Sequence, residues 1–218
     1  MTATAGGSGI TGVILAGGLG RRMGNVDKGL RLLAGRPMVA WVRDRLAPKV
    51  DRILVNANRN LDAYGAFGDR VIPDSITGFA GPLAGLHEGL SRAGTPLVVT
   101  VPCDSPLLPL DLVARLHAAL EHDAAHRADL AVARTGDQPH PVFCLARRTL
   151  LPDLAAYLAG GGRKIDAWYA RLRAVEVRFD DCPDAFSNVN TPEELAALER
   201  QLRRPDTGTG DAPGGGPL

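Results

Sequence analysis

The sequence predicts an α/β fold, a three-layer sandwich around a mostly parallel central sheet, and two observations predict it. Short β-branched runs alternate with longer stretches of helical period, and glycine, amide and carboxylate residues collect just after several of those runs. Open α/β sheets bind ligands at the carboxyl ends of their strands. With 45% hydrophobic and 22% charged residues in a chain of 218, there is enough apolar surface for one domain.

The elements follow in order. Thr11–Leu15 is a β-branched run that stops at glycines, and Pro37–Leu46 has helical period with proline at its first position. Arg52–Val55 and Arg70–Ile72 read as short strands, and Pro82–Arg92 as a helix opened by Gly81-Pro82. Leu97–Val101 is an unbroken apolar strand, followed by a helix over Leu110–Glu121. Strands at Leu130–Val132 and Val142–Leu145 precede helices at Leu150–Leu158 and Ile165–Leu172, separated by the Gly160–Gly162 break. Ala174–Arg178 is the last strand. The helix Pro192–Leu202 is the best specified, with Thr191 as N-cap, Glu194 completing a capping box, and Leu195, Leu198 and Leu202 on one face. The folded unit is expected at residues 10–204, between a tail at 1–9 and a Pro/Gly-rich tail at 205–218 too poor in apolar residues to order itself.

Composition narrows the function. Lys plus Arg number 25 against 24 Asp plus Glu, so the net charge of +1 lacks the electrostatic footprint of nucleic-acid binding. No apolar stretch approaches the length of a bilayer helix, and the amino terminus has no basic n-region or apolar h-region. Cys103, Cys144 and Cys182 are widely spaced without any CxxC, so free thiols in the cytoplasm are the expectation.

The chemistry is expected just after Leu15, Val55, Ile72 and Val101. Leu15-Ala16-Gly17-Gly18-Leu19-Gly20-Arg21-Arg22-Met23-Gly24, with Asp27-Lys28 beyond it, reads as a phosphate loop. Glycines admit close backbone approach and aim N–H groups at phosphate oxygens, while Arg22 and Lys28 neutralise charge. The third glycine of the dinucleotide fingerprint is missing, and no Gly-Lys-Ser/Thr occurs, so neither a dinucleotide-dependent oxidoreductase nor a Walker loop is indicated. Pro102-Cys103-Asp104 places a carboxylate at a central strand end, where Asp104 is a candidate Mg²⁺ ligand; the competing reading is a turn residue. Cys103 itself reads as a buried small hydrophobe. Asn56-Ala57-Asn58-Arg59, Asp74 and Gly81-Pro82-Leu83-Ala84-Gly85 end on the same edge, and amide and carboxylate groups there match the donors and acceptor of guanine. Asn188-Val189-Asn190 precedes the last helix, within reach of a phosphate or metal if that helix returns to this edge, or else forms ordinary pre-cap residues. His140 could line a pocket, whereas His87, His117, His122 and His126 read as solvated. Neither a Ser-His-Asp order nor an HExxH helix supports a hydrolase.

Together these motifs, from Leu15-Ala16-Gly17-Gly18 through Asp27-Lys28-Gly29 to Asn188-Val189-Asn190-Thr191-Pro192-Glu193-Glu194-Leu195, make the chain resemble the molybdenum cofactor guanylyltransferase (MobA) family over about residues 10–202. The resemblance implies a Rossmann-like nucleotidyltransferase fold and Mg²⁺-dependent transfer of GMP from GTP to the terminal phosphate of molybdenum-molybdopterin. By position it implies GTP contacts at Leu15, Ala16, Gly17, Gly18, Arg22, Lys28, Asn56, Asp74, Gly85 and Asp104, with Mg²⁺ on Asp104. Arg22, Lys28, Asp104 and Asn190 would carry the catalytic step, with Mg²⁺ between the α and β phosphates. His140, Arg163, Lys164, Asn188 and Asn190 would face the pterin acceptor. A monomer is expected, with molybdopterin-synthesis proteins and recipient molybdoenzymes as protein partners. Three rivals stay open at this stage: a molybdopterin cytidylyltransferase, a sugar-phosphate nucleotidyltransferase, and a non-catalytic delivery module for molybdoenzymes.

Overall fold

A computed structural model of the protein describes residues 7–16, 27–76, 81–122 and 128–203. In chain order these form β1 (Ile10–Leu15), β2 (Leu32–Leu33), β3 (Arg36–Pro37), α1 (Met38–Leu46), β4 (Arg52–Asn56), α2 (Leu61–Tyr64) and β5 (Arg70–Ile72). They continue with α3 (Pro82–Arg92), β6 (Leu97–Pro102), α4 (Leu112–His122), β7 (Leu130–Thr135), β8 (Gln138–Arg147), α5 (Leu151–Ala159), α6 (Ile165–Tyr169), β9 (Ala174–Arg178) and α7 (Pro192–Leu202).

Seven strands form one sheet in the order β5-β4-β1-β6-β8-β7-β9, in which β8 alone runs antiparallel to its neighbours. The mostly parallel α/β sandwich is therefore as the sequence predicts. Central strand β6 is buried throughout, which explains its unbroken apolar run. Side chains alternate between two cores. Ile14, Val99 and Val101 meet Val42 and Leu46 of α1 and Leu116 of α4 on one face. Val13 and Val98 meet Leu86 and Leu90 of α3 and Leu154 of α5 on the other. Each parallel strand must be reached by a crossover, so β1, β4, β5 and β6 all end on one edge, where their following loops converge.

Three features depart from the sequence expectation. The β7–β8 hairpin is longer than the two short runs predicted, closing at Thr135↔Gln138 with a register shift between Val132 and Ala133. Pro139 and Pro141 disguised it, since proline withholds a ladder donor. The β6–β8 pairing ends at Thr100↔Cys144, so the prolines lie in a stretch that β6 does not reach. The small β2–β3 hairpin and the single turn α2 were also unread, because neither is long enough to show a period.

The capping box of α7 is present: Thr191 Oγ1 accepts from the Glu194 N–H at 3.1 Å, and Glu194 Oε2 accepts from the Thr191 N–H at 3.1 Å. Leu195, Leu198 and Leu202 pack against Leu33, Met38, Val189 and Trp41, which ties the helix to the β2–β3 hairpin and the start of α1. That docking brings Asn188–Asn190 back to the carboxyl edge of the sheet. The predicted tails fall largely on residues 1–6 and 204–218, outside the described residues.

Candidate functional site

A cavity of about 350 Å³ opens at this edge. Its walls include Leu15 and Ala16 after β1, Asn56 and Asn58 at β4, Asp74 after β5, and Cys103 and Asp104 after β6. Gly81 and Pro82 at the start of α3 and Val142 of β8 close it further. All four strand ends singled out in the sequence thus face one space.

One end of the cavity is charged. Lys28, on a short 3-10 turn, donates from Nζ to Asp104 Oδ2 at 3.2 Å and also to Asn190 Oδ1. The main chain locks these partners together. The Val189 N–H donates to the Asp104 carbonyl at 2.9 Å, and the Ser105 hydroxyl to Asn188 Oδ1 at 2.7 Å. Asn190 is held in addition by its N–H on Glu194 Oε2 at 2.6 Å, so the capping glutamate of α7 also orients the loop entering the site. Gly29 lets this turn lie flat: a Cβ there would stand 2.5 Å from Tyr64 Oη and 3.0 Å from Cys103 Sγ. Behind it the Tyr64 phenol donates to Asp27 Oδ1 and Asn60 Nδ2 donates to Oδ2 at 3.0 Å. Burial pushes the Cys103 thiol well up, and the carboxylates of Asp104 and Asp27 add to that, so Cys103 is a neutral wall and not a nucleophile.

The other end is an amide and carboxylate network. Asn56 Nδ2 donates to Asp74 Oδ1 at 2.8 Å and Asn58 Nδ2 to Asp74 Oδ2 at 2.7 Å, while the Asp74 N–H donates to Asn58 Oδ1 at 2.8 Å. A carboxylate oxygen can accept more than one donor, so the bonds to Asn56 and Asn58 do not exhaust the acceptor capacity of Asp74. Gly85 serves this network by absence: a Cβ there would come within 2.5 Å of Leu15 Cδ2 and closer still to Asn56 Oδ1. Gly85→Ala therefore forces Asn56 off its bond, and a urea titration should find the variant about 1–3 kcal/mol less stable. A loss below about 0.5 kcal/mol would mean that Asn56 moves aside freely.

The remaining expected residues lie elsewhere or outside the description. Gly17, Gly18 and Arg22 fall in residues 17–26, outside the described residues, as does His126. His140 sits on β8, stacked on Phe186 at 4.7 Å between ring centroids, with Nε2 2.8 Å from Thr135 Oγ1. Burial holds its pKa below the usual histidine value, so it is a neutral aromatic at pH 7. Arg163 spends its guanidinium on the carbonyls of Leu158 and Gly162, at 2.9 and 2.7 Å, and neither it nor Lys164 lines the cavity. His87 is not solvated as expected: its Nδ1 lies 3.3 Å from Glu88 Oε1. Asp27, a cavity residue, was legible only as part of the Asp27-Lys28-Gly29 motif, since its partners Asn60 and Tyr64 are distant in sequence.

A parallel-sheet edge that joins a lysine–carboxylate–amide cluster to a base-sized polar network defines an α/β nucleotidyltransferase. Comparisons with known proteins agree. Residues 12–175 match the MobA-like NTP transferase domain, and the chain belongs to that family. It is 55% identical over 201 residues to a molybdenum cofactor guanylyltransferase of Burkholderia vietnamiensis, covering 88% of this chain and 96% of the relative. It is 53% identical over 195 residues to one of Cupriavidus taiwanensis, covering 87% and 96%. The fold is similar to the crystal structure of the molybdopterin-guanine dinucleotide biosynthesis protein A of Archaeoglobus fulgidus, with a TM-score of 0.71 at 23% identity, covering 88% of this chain and 98% of that one.

Proposed function

We propose that the protein transfers GMP from GTP to the terminal phosphate of molybdenum-bound molybdopterin, forming the guanine dinucleotide cofactor and releasing pyrophosphate. The observation that carries this reading is the two-ended cavity, charged at Lys28–Asp104–Asn190 and polar at Asn56–Asn58–Asp74. The names of the relatives at 53–55% identity supply the acceptor.

The attacking group is an oxygen of the acceptor's phosphate monoester, already anionic at neutral pH. It forms a bond to the α phosphorus of GTP as the bond from that phosphorus to the bridging oxygen breaks, and the electron pair leaves with pyrophosphate. No proton has to be removed, so the chain needs no general base and its work is alignment and charge. Lys28 takes phosphate oxygens of the leaving group, and Arg22 is assigned the same task. Asp74 accepts the N1–H and N2–H donors of guanine, oriented by Asn56 and Asn58. Asn188 and Asn190, beside Asp104, face the acceptor phosphate.

Mg²⁺ fits the donor set: Asp104 and the Asn190 side-chain oxygen both reach Lys28 Nζ, so they lie side by side as hard oxygen donors. Mg²⁺ is commonly held by one or two carboxylates, its other ligands being substrate phosphates and water. When bound there, the ion supplies positive charge against the triphosphate. Free thiols at Cys103, Cys144 and Cys182 accord with the cytoplasm, and no helix among the described residues is long and apolar enough to cross a membrane.

The test is pyrophosphate release with molybdenum-molybdopterin as acceptor and Mg²⁺ present, comparing GTP with CTP. We expect kcat/KM to favour GTP by at least about 10²-fold, because a site built for guanine donors leaves its acceptors unpaired with cytosine. Preference for CTP would overturn the base assignment. An intact, nucleotide-binding protein that releases no pyrophosphate would make this a delivery module.

A further inference from the structure

Glu88 is a buried carboxylate with no part in the chemistry above. It lies on α3, 2% exposed, on the same helix as the buried apolar side chains of Leu83, Ala84, Leu86 and Leu90. An ionised side chain is costly to bury among such neighbours unless its oxygens are bonded. Glu88 Oε1 accepts the Ser75 N–H at 3.1 Å and the Ser75 hydroxyl as well. His87 Nδ1 stands 3.3 Å from the same oxygen, and Arg92 Nε is 3.8 Å from Oε2. Ser75 follows Asp74 directly. The Asp74 peptide is thus held from both sides, by its own N–H on Asn58 Oδ1 and by the Ser75 donors on Glu88. A leucine at position 88 would fill the core without any desolvation cost. What it could not do is fix the backbone that carries Asp74.

We propose that Glu88 is a positioning residue for base selection: by binding both donors of Ser75 it sets the place of the Asp74 carboxylate, and so the preference for a nucleobase with two adjacent N–H donors. The proposal rests on the reading of Asp74 as the carboxylate that meets guanine. It is independent of the triphosphate end, where Lys28 and Asp104 act.

Calorimetric Kd values for GTP and ITP, with kcat at saturating GTP, test it on the full chain. ITP lacks the exocyclic amine and offers Asp74 one donor fewer. Glu88→Ala should weaken GTP binding about tenfold and ITP binding about twofold, with kcat within about twofold of the starting enzyme. Glu88→Gln should restore most of the preference, since its amide carbonyl can still accept from both Ser75 donors. Ser75→Ala, at an exposed residue, should shrink the preference about threefold and decides the matter together with Glu88→Gln if Glu88→Ala does not fold. Equal weakening of GTP and ITP in Glu88→Ala, a Glu88→Gln variant no better than Glu88→Ala, or a Ser75→Ala variant with unchanged preference would each overturn the proposal. Asp74→Asn separates the two readings. If it leaves the GTP-over-ITP preference intact, the base-side reading of Asp74 fails and this proposal with it; if it abolishes the preference and Glu88→Ala does not, only the positioning role fails.

Discussion

Asp104→Ala should lower the rate of pyrophosphate release by about 10³-fold or more while the protein stays folded. The fold does not depend on this carboxylate. The segment is held by its main chain, with the Cys103 N–H on the Leu15 carbonyl at 3.1 Å and the Val189 N–H on the Asp104 carbonyl at 2.9 Å, and both bonds survive the substitution. What the fold loses is the charged hydrogen bond from Lys28, worth about 1.5–3 kcal/mol in this partly buried setting, while the ammonium keeps the Asn190 side-chain oxygen. Catalysis loses much more, because no other carboxylate lining the cavity can stand in. Asp27 is occupied by Tyr64 and Asn60, and Asp74 by Asn56 and Asn58 at the opposite end. Removing a preorganised electrostatic group from a transition state costs about 10²–10³ in rate, and here the proposed metal ligand goes with it. Asp104→Asn, which keeps the shape without the charge, should fall nearly as far. Retention of more than about a tenth of the activity in Asp104→Ala, with unchanged circular dichroism, would remove Asp104 from the reaction.

The parts of the site that were legible in the sequence are those that chain direction alone assembles. Once β1, β4, β5 and β6 are read as parallel strands, Leu15, Asn56, Asp74 and Asp104 must fall on one edge, and they do. The return of Asn188–Asn190 was conditional on the path of α7. It became fact through Leu195, Leu198 and Leu202 packing on Leu33, Met38 and Val189, a contact across the length of the chain that the heptad-like spacing of leucines allows but does not dictate.

What was not legible depends on contacts between residues far apart. Tyr64 on Asp27 and Glu88 under Ser75 leave no local signal, since a tyrosine and a helical glutamate each have ordinary explanations. Arg163, conspicuous in sequence after a glycine break, bonds in the structure to the carbonyls of Leu158 and Gly162 at the end of α5, a contact that helix ends commonly recruit. The long β7–β8 hairpin was hidden for a different reason: Pro139 and Pro141 oppose strand propensity locally, and pairing with β7 overrides them.

If Lys28 meets the leaving group as proposed, Lys28→Met should lower kcat/KM by about 10²-fold and weaken product inhibition by pyrophosphate. Its present partners make a second, opposite effect. In the free protein Lys28 Nζ occupies Asp104 Oδ2 at 3.2 Å and Asn190 Oδ1, the two oxygens that suit Mg²⁺. A cation bound there competes with the ammonium for those lone pairs. With methionine at position 28 the competition ends, and the Mg²⁺ concentration for half-maximal rate should fall even as the maximal rate drops. Lys28→Arg should not rescue, since a planar guanidinium presents its donors in a rigid fork and cannot reproduce the single ammonium that meets both Asp104 Oδ2 and Asn190 Oδ1. A double variant with Asp104→Ala distinguishes two roles for the lysine. If Lys28 only orients Asp104, the double variant is no slower than Asp104→Ala alone; if it acts on the phosphates directly, the losses compound. We expect compounding, and a fall in the Mg²⁺ requirement in the single variant, read from initial rates of pyrophosphate release across a magnesium titration. A Mg²⁺ requirement that rises in Lys28→Met would mean that the lysine helps to assemble the metal site instead of competing for it.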